Sequence, residues 1–122
     1  MTEPMTKELL HMLVSRWFYQ DRGPKDWQKS RPTDHIVCGD LTRISVQAGS
    51  YSYCDPRENN ADEYTEMEVA LSQGYEGPLL KYADDLGICA YVPTEEIVKA
   101  INHHGGYRNS VFPGAKGFKL WN

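Results

Sequence analysis

The sequence predicts an α+β fold: a small antiparallel sheet of about four to five strands, with an N-terminal and a C-terminal helix packed on one face. Three stretches carry this reading. From Ile44 to Ser72 two runs alternate apolar and polar residues with period two, the mark of a strand with one wet face. Near the N-terminus, apolar residues recur at steps of three and four, as on one stripe of a helix. At Pro93-Thr94-Glu95-Glu96 a capping residue precedes two acids, which the positive end of a helix dipole favours.

Taken in order, residues 3–21 read as the first helix. Thr2 is its expected cap, Pro4 sits in the first turn, and Met5, Leu9, Leu10, Leu13, Val14, Trp17 and Phe18 form its buried stripe. Gly23-Pro24 stops it. The stripe reads as core rather than as a helix that docks in a partner's groove. Residues 25–34 are polar and irregular, with Trp27 pinning the loop to the body. Ile36-Val37-Cys38 is a short strand ended by Gly39-Asp40.

The strand pair follows. In the first run Ile44, Val46 and Ala48 alternate with Ser45, Gln47 and Gly49, and Tyr51 and Tyr53 extend it. In the second, Thr65, Met67, Val69 and Leu71 alternate with Tyr64, Glu66, Glu68 and Ala70. Leu79 to Ala83 fits either a strand or a helical turn. Asp84-Asp85-Leu86-Gly87 is a tight connection, and the apolar run Ile88 to Val92 is expected to be a central strand. In the last helix Ile97, Val98, Ala100 and Ile101 face the core; His103 and His104 occupy the final turn, and Gly105-Gly106 ends it. The tail from Tyr107 carries Val111, Phe112, Phe118, Leu120 and Trp121 as anchors and is expected to fold back, adding an edge strand.

The chain has 122 residues, within the usual span of one domain, so residues 1–122 are read as one compact unit. At that size folding hides roughly two thirds of the unfolded surface, enough for a core without staples. Apolar residues make up 40% and charged residues 25%, so the chain is expected to fold. Cys38, Cys54 and Cys89 are an odd number of thiols with no paired spacing, and no apolar leader opens the sequence. Free thiols in a cytoplasmic protein are the expectation. No stretch reaches the ~18 apolar residues of a membrane span.

The net charge of −4 is concentrated: residues 55–68 hold six acids against Arg57, while the tail after Gly105 is basic. Overall acidity argues against direct nucleic-acid binding, which needs Lys and Arg on phosphates. A concentrated acidic segment suits a basic protein partner.

No catalytic motif stands out. Cys38, Cys54, Cys89, His35, His103 and His104 lack the spacing of a zinc site, and adjacent His103 and His104 point about 100° apart on a helix. Both histidines are read as solvated. Cys54 sits among carboxylates that raise a thiol's pKa, so it is read as structural. Asp84-Asp85 and Glu95-Glu96 have turn and helix-start roles that suffice. Pro113-Gly114-Ala115-Lys116-Gly117 lacks the spacing of a phosphate-binding loop. No metal or cofactor is expected.

In size and charge the chain resembles phage and mobile-element inhibitors of host defence systems, and toxin-neutralising immunity proteins. The resemblance implies a non-enzymatic, protein-binding inhibitor, such as an anti-CRISPR protein. Its acidic hairpin would occupy a basic surface of a host protein, a nucleic-acid-binding complex being one candidate. The residues expected to make that contact are Asp55, Glu58, Asp62, Glu63, Tyr64, Glu66, Glu68, Tyr51 and Tyr53. The alternative expectation is a protein that sequesters a nucleotide-like ligand between the tyrosine-bearing strands and the basic tail.

Overall fold

The computed structural model describes residues 2–15 and 35–108. Their order is strand β1 (Thr2–Glu3), helix α1 (Lys7–Val14), strands β2 (Ile36–Val37), β3 (Arg43–Gln47) and β4 (Glu66–Leu71), a 3-10 turn (Pro78–Tyr82), strand β5 (Ile88–Pro93), helix α2 (Thr94–His103) and strand β6 (Tyr107–Arg108). The fold is α+β; among the described residues it has two helices and two antiparallel sheets. One sheet has four strands in the order β2-β3-β4-β5, and the other is a ribbon of β1 and β6.

The alternating pattern holds where it is strongest. Ile44, Val46, Met67, Val69 and Leu71 are all sealed from solvent, as period-two pleating requires. Val46 lies opposite Val69, and Ile44 opposite Leu71. These side chains join Leu10, Val14, Val92, Ile97 and Ile101 in one hydrophobic cluster. Ala70 and Gln47 are buried too, so the second face of β3 and β4 is partly covered.

Helix α1 is shorter than the apolar stripe predicts. Thr2–Glu3 are extended because their backbone pairs with Tyr107–Arg108, the fold-back expected of the tail. The cap is therefore Thr6, whose Oγ1 accepts from the Leu9 N–H at 3.1 Å, and not Thr2. Ser15 is extended and ends the helix, its N–H donating to the Met12 carbonyl at 3.2 Å. Asn102 fastens the start of α1 to α2, accepting from the Met5 N–H at 2.7 Å and donating to the Met5 carbonyl at 3.1 Å. Trp17, Phe18, the Gly23-Pro24 stop, Trp27 and the tail anchors beyond Arg108 lie outside the described residues.

Strand β5 is an edge of its sheet, not a central strand. Met67 faces Val92 and Val69 faces Cys89, so β5 carries one residue more than β4 over this stretch. The bulge turns Ala90 and Tyr91 outward, while Cys89 and Val92 stay in the core. Leu79 to Tyr82 belong to the 3-10 turn, and Ala83 bridges to Cys89 along the outer side of β5. The Asp84–Gly87 connection forms as expected: Asp84 Oδ1 accepts from the Leu86 and Ile88 N–H groups at 2.8 and 2.9 Å.

Thr94 does not cap α2. The helix starts at Thr94 itself, after Pro93, and the Thr94 hydroxyl donates to the Tyr64 carbonyl at 2.6 Å in a buried site. The residue thus ties the helix to the hairpin rather than to its own first turn. Thr94→Val keeps the shape and removes this donor and the bond it makes to the hairpin. The expected cost is about 1–2 kcal/mol, read as a lower denaturant midpoint; an unchanged midpoint overturns the assignment.

All three cysteines are buried and unbridged. Burial pushes the Cys38 thiol up to about 12 and that of Cys89 up to about 11, with Asp40 and Asp84 adding in turn, so both remain protonated at neutral pH. Among the described residues no helix is long and apolar enough to cross a membrane.

Candidate functional site

The connection between β3 and β4 starts in a turn closed by the Ser52 N–H on the Gly49 carbonyl at 3.1 Å. Cys54 is buried beneath it and accepts from the Gly49 N–H at 3.3 Å. Small polar groups fold the loop back on itself: Asn59 Oδ1 accepts from the Ser50 N–H at 3.0 Å, and the Asp55 N–H donates to the Glu66 carbonyl at 3.1 Å. This places the segment bearing Tyr51 against the acidic one.

The surface that results is aromatic as well as acidic. Tyr51 is 69% exposed, Tyr53 48% and Tyr91 45%. The Tyr53 and Tyr91 rings lie 6.0 Å apart, and the Tyr91 N–H donates to the Tyr53 carbonyl at 3.1 Å. The Arg57 guanidinium sits 5.3 Å from the centre of the Tyr53 ring. Asp55, Glu58, Asp62 and Glu63 are exposed, and Glu66 and Glu68 half-buried on β4. Glu68 also has an internal task, since its Oε1 accepts from the Tyr53 N–H at 2.9 Å. Glu63 pairs with Lys7 at 3.3 Å on the open surface, where such a contact contributes little.

Two expectations about these residues change. Tyr51 and Tyr53 are not strand residues, because β3 ends at Gln47. Tyr64 is not on the surface: it is 3% exposed, and its hydroxyl donates to the Glu58 carbonyl at 2.6 Å and accepts from the Ala61 N–H at 3.2 Å. It props up the acidic loop from inside. His11 Nε2 accepts from the Tyr64 N–H at 2.8 Å, so its Nδ1 carries the proton donated to the Lys7 carbonyl at 2.6 Å.

Tyr91 joins the face unanticipated. Its sequence context is an apolar run that gives no sign of a bulge. Its φ of 54° is left-handed, which costs a bulky side chain about 1–2 kcal/mol. That conformation, with the extra residue in β5, turns the ring out beside Tyr53.

A second polar constellation lies under the turn between β2 and β3. His104 is 5% exposed, not solvated as the sequence suggests. Its Nδ1 meets Asp40 Oδ2 at 2.9 Å and its Nε2 meets the Tyr75 hydroxyl at 2.9 Å. With Nδ1 as the donor the ring serves Asp40, and Nε2 is left to meet the Tyr75 hydroxyl. Burial opposes the Asp40 charge, but hydrogen bonds from the Thr42 side chain and N–H and from His104 outweigh it and hold the carboxyl below its usual range. Burial pushes the Tyr75 hydroxyl up, so it stays protonated. His103, its neighbour, is exposed. No local pattern points to this trio, since its members are 29 and 64 residues apart.

Among the described residues no three His, Cys, Asp or Glu side chains converge so as to hold a metal ion. Comparison of the chain with known family models, with curated proteins and with solved structures finds no match.

Proposed function

We propose that this chain is a non-enzymatic, protein-binding inhibitor whose acidic and aromatic face occupies a basic surface of its target. The reading rests on one observation: exposed Tyr53 and Tyr91 lie side by side, their rings 6.0 Å apart and tilted by 49°, and Tyr53 belongs to a loop that also bears the exposed carboxylates Glu58 and Asp62 and is tied to Glu68. Tyrosine gives large contact area at low entropic cost and concentrates binding energy at interfaces. Carboxylates around it steer a basic partner and make association depend on salt. A surface that exists only for solubility has no use for adjacent exposed rings, one of them in a costly backbone conformation. With the acidic balance of the chain, the target chemistry is that of a nucleic-acid-binding protein. In size and charge the chain resembles the inhibitors that mobile elements direct at host defence, anti-CRISPR proteins among them.

The test separates binding from folding. Glu58→Lys with Asp62→Lys exchanges two negative charges on the face for two positive ones without touching Glu68, which holds the loop. Glu95→Lys with Glu96→Lys makes the same change at the start of α2. Tyr91→Gly relieves the left-handed strain, so stability should hold or rise by up to about 1 kcal/mol while binding falls. Captured from its native host, the target should be lost by the first pair and by Tyr91→Gly, kept by the second pair, and released by rising salt. Equal effects from both pairs, or retention by Tyr91→Gly, overturn the reading. Thermal stabilisation by a nucleotide, with no protein captured, would favour ligand sequestration instead.

A further inference from the structure

A groove of about 440 Å³ opens beside the β2–β3 turn, between residues 40–43 and 72–76. Its volume lies in the range of small-molecule sites. Arg43 lines it, half-buried, and its Nη1 is sealed from solvent with no hydrogen-bond partner. Among the described residues no carboxylate or carbonyl pairs with this guanidinium. A partly desolvated cation with no carboxylate in direct contact is costly, and an anion in the groove offsets that cost through the guanidinium's other N–H groups.

The opposite chemistry lies in the same walls. Asp40 and Glu76 both line the groove. The Asp40 carboxylate is fixed by the Thr42 N–H at 2.9 Å and by His104 at 2.9 Å, yet its side chain is 48% exposed and keeps lone pairs free. Tyr75, held by His104, and Gln73 add neutral hydrogen-bonding groups to the same lining. One guanidinium and two carboxylates, unpaired with one another in the walls of one groove, suit neither a doubly charged phosphate nor a simple cation.

We propose that this groove binds a small zwitterion of the amino-acid class, with its carboxylate on Arg43 and its ammonium on Asp40 and Glu76. The groove shares no residue with the acidic and aromatic face, and its occupancy would be an additional activity of the chain. The trio of Asp40, His104 and Tyr75 then has a purpose beyond filling space, because it fixes one charged and one neutral ligand contact before the ligand arrives.

The test is a chemical-shift titration of the isotopically labelled full chain. The standard amino acids are added one at a time at millimolar concentration, with acetate, methylammonium and inorganic phosphate as separate probes. At least one amino acid should give saturable shifts at Gln73, Gly74 and the Arg43 Nε–H. Acetate should bind about tenfold more weakly, and methylammonium should give none. Arg43→Gln should weaken the amino acid by about tenfold or more, the usual worth of a charge-assisted bond. Glu76→Gln, at an exposed position, should weaken the amino acid and spare acetate. Several results overturn the proposal: no saturable shift with any amino acid, tighter binding of phosphate, or unchanged affinity in Arg43→Gln judged folded by its spectrum.

Discussion

Leu10→Ala lowers the free energy of unfolding by about 2–5 kcal/mol, through lost transfer energy plus the cavity left behind. Leu10 is sealed from solvent in the main apolar cluster, on the side of α1 that faces the core with Val14. The helix is only eight residues long, too short to hold its shape in water without packing. Its attachment therefore depends on Leu10, Val14 and the bonds between Met5 and Asn102. Leu13, three positions on, is only partly buried, and Leu13→Ala should cost about 1 kcal/mol. Met12 is half exposed, and Met12→Ala should be close to neutral. Urea denaturation of the three variants checks the order. Equal midpoints for Leu10→Ala and Leu13→Ala would mean that α1 does not sit on the core by the face described.

The same helix shows how far sequence reasoning reaches. Its apolar stripe was legible because spacing is a local property. Its ends were not, because the backbone of Thr2–Glu3 is claimed by Tyr107–Arg108 at the far end of the domain. The hairpin core was legible for the same reason as the stripe: Met67, Val69 and Leu71 announce a buried face through pleating alone. The Ile88–Val92 run misled because a bulge leaves no compositional trace, and with it Tyr91 was missed as a surface residue.

The candidate face divides along the same line. Charge is additive along a chain, so the acidity of residues 55–68 could be counted from the sequence. Burial is not additive, so Tyr64, which alternation places beside Glu66 and Glu68, turned inward to hold the loop carbonyl of Glu58. His104 reads as solvated in the sequence because no partner lies near it in the chain. Asp40 and Tyr75 reach it only because the β2–β3 turn and the segment after β4 both close over the end of α2.

That closure rests on a glycine pair, and Gly39→Ala is expected to lower stability by about 3 kcal/mol. A Cβ on Gly39 would lie 2.4 Å from the Gly105 carbonyl oxygen and 3.0 Å from its Cα. The obstacle is backbone, which cannot rotate away as a side-chain end can. Neither strand of the contact is free to retreat. Gly39 donates its N–H to the Gly106 carbonyl and Asp40 donates to the His104 carbonyl, both at 2.8 Å, while Arg108 Nη2 grips the Gly39 carbonyl at 2.7 Å. Separating the two segments far enough to admit a methyl group breaks at least one of these bonds and loosens Asp40 from His104. Gly74→Ala is the control. Gly74 has a left-handed φ of 84° but nothing within 4 Å of the added carbon, so it carries backbone strain alone, about 1–2 kcal/mol. The larger loss should fall on the position without the unusual φ. It should be accompanied by altered imidazole resonances of His104 at neutral pH, which Gly74→Ala leaves in place. Equal losses from the two alanines, with the His104 signals unmoved in both, would show that the turn and the helix end are not locked together at Gly39.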